Sequence, residues 1–278
     1  MSEPELMQKV AGIHQRKLAR QAAVMQQLGL PMWPDYHRGV PNGLLRSALF
    51  GAIARGKPIY LQRERIAALD GIDIIYTGLR LSQDHLSVWE CLIHIARAQQ
   101  LGDKCLVSTY QLLKLLGKKD TGGNRQVLYK RLAELQATTI ELTQGRYTYS
   151  GSLISESYRD EEAGKIVICL HPRIVSLFQS DQFTQVNWDI RQGLLKPLAK
   201  WLHGFYSTHR NPVPMRAATL HRLCGSEAKT VKSFVESSLN RALEDVVAVS
   251  AKHGEHFQYR IQGDLVHVAR DPAQRLPE

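Results

Sequence analysis

Two groups of side chains in this sequence are of the kinds that read nucleic acid. Asn124, Arg125, Gln126, Tyr129 and Lys130 form the first; Lys229, Lys232 and Ser233, continued by Glu236 and Asn240, form the second. Arginine and lysine donate to guanine edges or to phosphate, and an asparagine or glutamine amide can donate to and accept from adenine at once. Helical spacing sets each group opposite an apolar stripe, Leu128, Leu132 and Leu135 in the earlier segment and Val231, Val235, Leu239, Ala242 and Val246 in the later one. One buried face and one polar, basic face is what a helix in the major groove requires. Arg146 and Lys252 fall near expected turns beyond these helices, where a basic side chain can reach flanking phosphate.

Bond-breaking chemistry has no comparable pattern. The cysteines at 91, 105, 169 and 224 are widely spaced, with no C-x-x-C pair and no histidines at ligand spacing, so they read as reduced thiols and no metal site is expected. His253-Gly254-Glu255-His256 lacks the two histidines around one hydrophobic residue that a metal-dependent nicking site uses. No G-x-x-x-x-G-K-[ST] loop is present, and Gly122-Gly123 reads as a helix start, so neither nucleotide hydrolysis nor a cofactor is expected. The expectation is a binding protein with no catalytic residues.

The net charge of +10 points to a polyanionic partner, because clustered Lys and Arg release counterions from phosphate. No apolar run approaches the roughly 20 residues of a membrane span, and the N-terminus lacks a signal-peptide pattern, so a cytoplasmic location away from membranes is expected.

The elements that position these side chains follow from periodicity and stop signals. A short helix over 109–116 stops at Gly117, where a residue with positive φ is needed, and a longer helix over about 123–137 runs into a strand at 139–142. The same order returns later: Leu112, Leu115 and Gly117 match Leu220, Leu223 and Gly225 at a constant separation of 108 residues. In the second copy the long helix covers 228–247, and strands at 257–261 and 265–269 flank the turn Gln262-Gly263-Asp264. Residues 109–142 and 217–250 therefore read as two helix-turn-helix copies.

Ahead of the first copy, strands are expected at 58–61 and 72–76, then a helix begun by Ser82 with Leu86, Trp89, Ile93 and Ala96 inward. Ahead of the second, Pro197 opens a helix carrying Leu198, Trp201, Leu202 and Phe205. The polar segment 146–149 and the strand 165–170 are candidate wing strands, and Leu49 and Phe50 are expected in their own domain's core. Residues 3–28 have the spacing of an amphipathic helix with a basic face at Lys9, Arg16, Lys17 and Arg20, and the prolines between 31 and 43 predict an extended linker. The fold class is α+β: two tandem winged-helix domains, each a helix-turn-helix plus β-wing, preceded by a basic helical arm and flexible linker. The boundaries are 1–43 for arm and linker, 44–180 and 181–270 for the two domains, and 271–278 for a tail.

Five stretches carry a family likeness: Q-L-G-L-P-M-W-P-D (27–35), R-S-A-L-F (46–50), I-I-Y-T-G (74–78), L-Q-A-T (135–138), and a C-terminal run through F-Y-S-T-H-R (205–210), L-C-G-S (223–226) and D-L-V-H (264–267). On these the chain resembles the TrfA-type plasmid replication initiators from about Gln27 to Arg270. The resemblance implies two winged helices that bind directly repeated sites, called iterons, in double-stranded plasmid origin DNA. It also implies opening of adjacent A·T-rich DNA, contact with single-stranded A·T-rich DNA, recruitment of the host initiator DnaA and the replicative helicase, and a monomer–dimer equilibrium. Within the arm, Gln27, Leu28, Leu30, Pro31 and Met32 resemble the hexapeptide with which bacterial proteins dock on the polymerase sliding clamp, although the usual Leu-Phe ending is replaced. An extended segment of that kind sets alternate apolar residues in a cleft and hydrogen-bonds its glutamine at the edge. A tandem winged-helix transcriptional repressor would present the same base-reading surfaces, and a DNA-nicking replication enzyme would need the same basic charge.

Overall fold

The computed structural model describes residues 30–53, 58–99, 104–160, 162, 165–179 and 181–271. The expected basic helix at 3–28, and Gln27 and Leu28 of the clamp-like segment, lie outside the described residues.

The segment expected to be a linker is instead built into the fold. Trp33 is buried in a core, β1 (His37–Pro41) pairs antiparallel with β11 (Phe183–Asn187), and a short helix α1 (Asn42–Leu45) follows. Its prolines do not prevent this, since Pro41 closes the strand and Pro31 and Pro34 precede it. The partner strand lies some 140 residues downstream, which local composition does not reveal.

Next, β2 (Phe50–Gly51) pairs in parallel with β5 (Leu81–Ser82). β3 (Tyr60–Arg65) and β4 (Ile72–Leu79) join β7 (Thr139–Gln144) and β8 (Tyr147–Gly151) in a four-stranded antiparallel sheet of order β3-β4-β7-β8. The helix α2 (Gln83–Gln99) buries the expected Leu86, Trp89, Ile93 and Ala96, and also Val88, Glu90, Cys91 and Leu92. It is covered on most sides and forms the axis of the first core. Leu49 and Phe50 lie in that core, as expected.

Beyond α2 the chain runs through β6 (Lys104–Ser108), α3 (Thr109–Leu115) and α4 (Gly122–Gln136), then β7 and β8, then a hairpin of β9 (Glu156–Asp160) and β10 (Lys165–Cys169). The strands at 146–149 and 165–170, expected to share a wing, are separated. β8 belongs to the four-stranded sheet, whereas β10 lies between β6 and β9 in a three-stranded sheet of order β6-β10-β9. The physical reason is that β7, with β8 paired on its other edge, finds its second partner in β4, far upstream in the chain.

A 3-10 helix (Pro172–Phe178), β11, α5 (Trp188–Gly193) and α6 (Pro197–Ser207) lead into the second copy. There β12 (Met215–Arg216) precedes α7 (Ala217–Leu223), one long helix over 231–252 follows, and β13 (Gln258–Gln262) and β14 (Leu265–Ala269) close the unit. Its sheet has the order β12-β14-β13, the arrangement of β6-β10-β9 in the first copy. Among the described residues no helix is long and apolar enough to cross a membrane.

Two hydrophobic cores result, one running from Trp33 to Trp188 and one from Ile190 to Val268. They are locked together by charge. Arg191 of α5 donates from Nε to Glu90 Oε2 of α2 at 2.6 Å, with both side chains almost wholly buried. Arg191 Nη2 also donates to Gln83 Oε1 at 3.1 Å, and Gln83 donates to the Phe50 carbonyl. Trp201 of α6 reaches the Ser47 carbonyl at 3.0 Å, and the Ala52 amide donates to the Cys224 carbonyl at 2.7 Å. Burial pushes the Glu90 carboxyl above its ordinary value, and the Arg191 and Arg38 guanidiniums pull against that shift.

Removing one member of a buried pair leaves the other charge without compensation, which costs about 3–5 kcal/mol. Glu90→Gln is therefore expected to lower unfolding stability by about that amount, and adding Arg191→Met to recover much of it, as read by urea denaturation. His203 of α6 makes the second case. Neither ring nitrogen has a partner, and burial, aided by Arg191 and Arg270, pulls its pKa down to about 3 from the ordinary 6.5. Between those values the unfolded chain takes up a proton that the folded chain refuses, so this group costs stability as the pH falls below about 6.5. His203→Phe is expected to flatten the loss of stability between about pH 7 and pH 4, and urea midpoints across that range check it.

Candidate nucleic-acid interface

α3 and α7 each have seven residues and end in the same geometry. Gly117 and Gly225 take φ of 65° and 61°, in the left-handed region open to glycine. The amide of the next residue reaches back five positions in both, Lys118 to the Leu113 carbonyl at 2.8 Å and Ser226 to the His221 carbonyl at 3.2 Å. A threonine then starts each second helix: Thr121 accepts from the Asn124 amide at 3.3 Å and Thr230 from the Ser233 amide at 3.1 Å. The connection differs by one residue between copies, four positions from Gly117 to Thr121 and five from Gly225 to Thr230. In both, the free amides and positive end of the second helix come to the same place after the turn.

In α4, Leu128, Leu132 and Leu135 are buried as expected. The outward set is less uniform than its residue types suggest. Gln126 and Lys130 are exposed, with Lys130 Nζ at 3.9 Å from Glu134. Arg125 is engaged by Asp120 through two bonds of 2.6 and 2.7 Å, and that contact raises the pKa of the arginine and lowers that of the aspartate. Asn124 is half-buried and donates from Nδ2 to the Lys119 carbonyl at 2.8 Å, so its amide shapes the turn. Tyr129 packs on the first core, shares a hydrogen bond of 2.9 Å with Thr109, and carries the Arg159 guanidinium over its ring at 4.3 Å. Arg146 is exposed at the β7–β8 turn, on the four-stranded sheet rather than the sheet that holds β9 and β10.

The long helix of the second copy departs from the expected phase. It begins at Val231 instead of 228 and continues to Lys252, past the expected 247. Within it, Val235–Leu239 form a π-turn. Phe234 and Leu239, five positions apart, are both fully buried, followed by Ala242, Leu243 and Val246. Val231 is 36% exposed and Val235 half-buried, so the first two members of the expected stripe lie off the buried line. A π-turn inserts one residue into the helix, and a strict 3.6-residue count cannot register it. Phe234 sets its ring edge-on to His221 of α7 at 5.1 Å, tying the two helices together. The Ser237 hydroxyl donates to the Ser233 carbonyl at 2.6 Å within the same stretch.

Lys229, Lys232 and Ser233 are all exposed at the start of this helix, with Lys232 at 3.9 Å from Glu236. Lys252 is its last residue and does not sit in a wing turn; it lies roughly 30 Å along the axis from the other end. The β13–β14 turn is formed by Gly263 and Asp264. Exposed basic residues that helix-face reasoning passed over include Lys118 and Lys119 in the first turn, Arg222 at the end of α7 and Arg241. The first two carried a signal, a lysine pair directly after the stop glycine.

Of the clamp-like segment, Leu30 and Pro31 are half-buried, Leu30 packs against the first core, and Met32 is 67% exposed. Among the described residues no cluster of three or more His, Cys, Asp or Glu is arranged to hold a metal ion.

The geometry is that of an α+β protein in which a short helix, a left-handed glycine turn and a longer threonine-capped helix occur twice, each time with a three-stranded sheet. The TrfA protein family matches residues 4–270, and the chain belongs to that family. The plasmid replication initiator protein TrfA of Escherichia coli is 30% identical over 248 residues; the match spans 86% of this chain and 63% of the length of that relative. Two crystal structures of domains 2 and 3 of RctB, one of them a selenomethionine form, share the fold at 14% identity. The selenomethionine form gives a TM-score of 0.51 over 82% of this chain and 94% of that one, the other 0.50 over 80% and 93%.

The π-turn makes a measurable distinction. Phe234→Ala is expected to cost about 3–5 kcal/mol of stability, and Val231→Ala to stay within about 0.5 kcal/mol. Comparable losses for the two in urea denaturation would mean that Val231 faces the core and the helix is regular.

Proposed function

We propose that this chain is a plasmid replication initiator whose two units are tandem winged helices that bind double-stranded origin DNA at iterons. The observation that carries this reading is the repeated start of the second helix: the same glycine stop, the same threonine cap, and exposed basic or amide side chains at the positive helix end. That arrangement offers backbone amides and cations to phosphate and side chains to base edges from one place. The matching sheet orders supply a wing beside each pair of helices, and membership in the TrfA family supports the replication role over that of a repressor.

On this reading the first domain runs through the Trp33–Trp188 core and the second from Ile190 onward. The protein works in the cytoplasm without catalysis of its own, opening A·T-rich DNA beside the repeats and bringing in DnaA, the replicative helicase and the sliding clamp. The monomer–dimer equilibrium of the family belongs to the same proposal. Clamp docking through Gln27, Leu28, Leu30, Pro31 and Met32 requires Leu30 to leave the core it packs on, so docking competes with a folded contact. Replication of a plasmid carrying the origin, with and without this protein supplied in trans, separates initiator from repressor. Nicked or covalently attached origin DNA after incubation with Mg²⁺ would replace both with an enzyme.

The two copies are unequal on electrostatic grounds. Asp120 holds Arg125 in a bidentate pair, whereas Lys229 is exposed before the Thr230 cap and Lys232 has only a long contact with Glu236. The double change Lys229→Met and Lys232→Met is expected to weaken iteron binding at least as much as Arg125→Met with Lys130→Met. A loss of about tenfold corresponds to about 1.4 kcal/mol. Each phosphate contact removed is expected to flatten the slope of log affinity against log salt by about 0.9. Titrations at several salt concentrations check both, and the reverse order would shift base reading to the first copy.

A further inference from the structure

Among the described residues three arginines are buried, and two have a carboxylate: Arg191 meets Glu90 at 2.6 Å and Arg97 meets Asp35 at 2.7 Å. Arg38 has none within ion-pair distance among the described residues, although it is only 2% exposed. Its Nη1 donates to the carbonyls of Asp35 and His37 at 2.7 and 2.8 Å and meets His94 Nδ1 at 3.1 Å, while Nε is buried without a partner. His94 cannot supply negative charge. The Trp33 indole also donates to its Nδ1, and burial with Arg38 and Arg97 nearby pulls its pKa down to about 4, so the ring is neutral. Its hydrogen-bond acceptors are all neutral, and the buried carboxylate whose charge acts on it, Glu90, is already bonded to Arg191, so the guanidinium is only partly compensated.

What lies beside it is a cavity. A space of about 690 Å³ opens between β1, β6, the end of α3 and the start of α5, and Arg38 lines it. The guanidinium lies over the Trp188 ring at 4.5 Å, and Trp188 lines the same space. Ile95, Leu106 and Leu115 give it apolar sides, and the exposed Lys114 of α3 and Asp189 of α5 also line it. Volume and lining are those of small-molecule sites, which are mostly apolar with a few placed polar groups.

We propose that this cavity binds a small organic anion, a carboxylate or phosphate ester with an apolar body. Its charged group pairs with Arg38 and its body lies against Ile95, Leu106, Leu115 and Trp188. With Nη1 engaged and Nε sealed, Nη2 is the donor left to meet the anion, in a single charge-assisted hydrogen bond that gains strength from its low-dielectric surroundings. The proposal concerns this cavity alone and does not depend on what the helices bind.

Calorimetric titration of the full chain with 2-naphthoate, 2-naphthyl phosphate, the neutral 2-naphthamide and inorganic phosphate tests it. One of the two aromatic anions is expected to bind at one site per chain with Kd below about 1 mM, and the neutral amide and inorganic phosphate at least about tenfold more weakly. Whichever anion binds more tightly identifies the headgroup. Arg38→Met is expected to abolish binding, and Leu106→Trp, which fills the cavity and leaves Arg38 in place, to do the same if the first variant does not fold. The proposal is overturned by the absence of saturable binding for both anions, by equal affinity for the neutral amide or for inorganic phosphate, or by binding that survives in a folded variant of either kind.

Discussion

A guanidinium sealed from water against a carboxylate sets the geometry on which the rest of this protein depends. Arg191 sits at the point where one hydrophobic core ends and the other begins, and Glu90 lies midway along the helix that forms the axis of the first. Apolar contact is tolerant of small rotations, whereas a buried ion pair with flanking bonds to Gln83 holds only over a narrow range of positions. The link therefore fixes the second unit against the first more sharply than packing alone. Trp201 on the Ser47 carbonyl and Ala52 on the Cys224 carbonyl repeat the link with neutral groups.

The same local solution appears once in each unit, built from different side chains. The first short helix has Ser108 as its cap, bonded reciprocally with Gln111; the second starts after Arg216 with no side-chain cap. Yet both end in a left-handed glycine and lead to a threonine-capped helix. What the two copies share is the backbone path through the turn. What differs is charge: Arg125 of α4 is drawn into a bidentate contact with Asp120, while Lys229 and Lys232 stay exposed at the start of the later helix, Lys232 with the same 3.9 Å contact to a glutamate that Lys130 makes in α4. The π-turn adds a further difference, since one inserted residue rotates everything beyond it relative to the N-terminal turn.

Much of this was legible in the sequence. The elements whose signals are local stand where periodicity and stop residues place them: the helices beginning near 83, 109, 122 and 197, the strand at 265–269, and both glycine stops. So do the buried leucines of α4, because a regular helix repeats its inward face without reference to anything else. The candidate site was legible as residue types at helix starts, and Gln126, Lys130, Lys229, Lys232 and Ser233 are exposed, Lys229 ahead of the helix and not on it.

Tertiary structure alone decided the remainder. Whether 37–41 is a linker or a strand depends on Phe183–Asn187, and whether the β7–β8 hairpin belongs to a wing depends on the pairing of β7 with β4; pairing across so many residues has no local signature. Asn124, Arg125 and Tyr129 are polar in sequence, but their neighbours Lys119, Asp120 and Thr109 determine how much of each is left to meet a partner. Phe234 owes its burial to the π-turn, which shifts the inward face by one position. The sequence by itself determined the kinds of elements and the chemistry available, since propensity, capping and periodicity act over a few residues. Only the folded chain decided which of those groups are spent on the protein itself, because a side chain's partners are set by what comes near it in space.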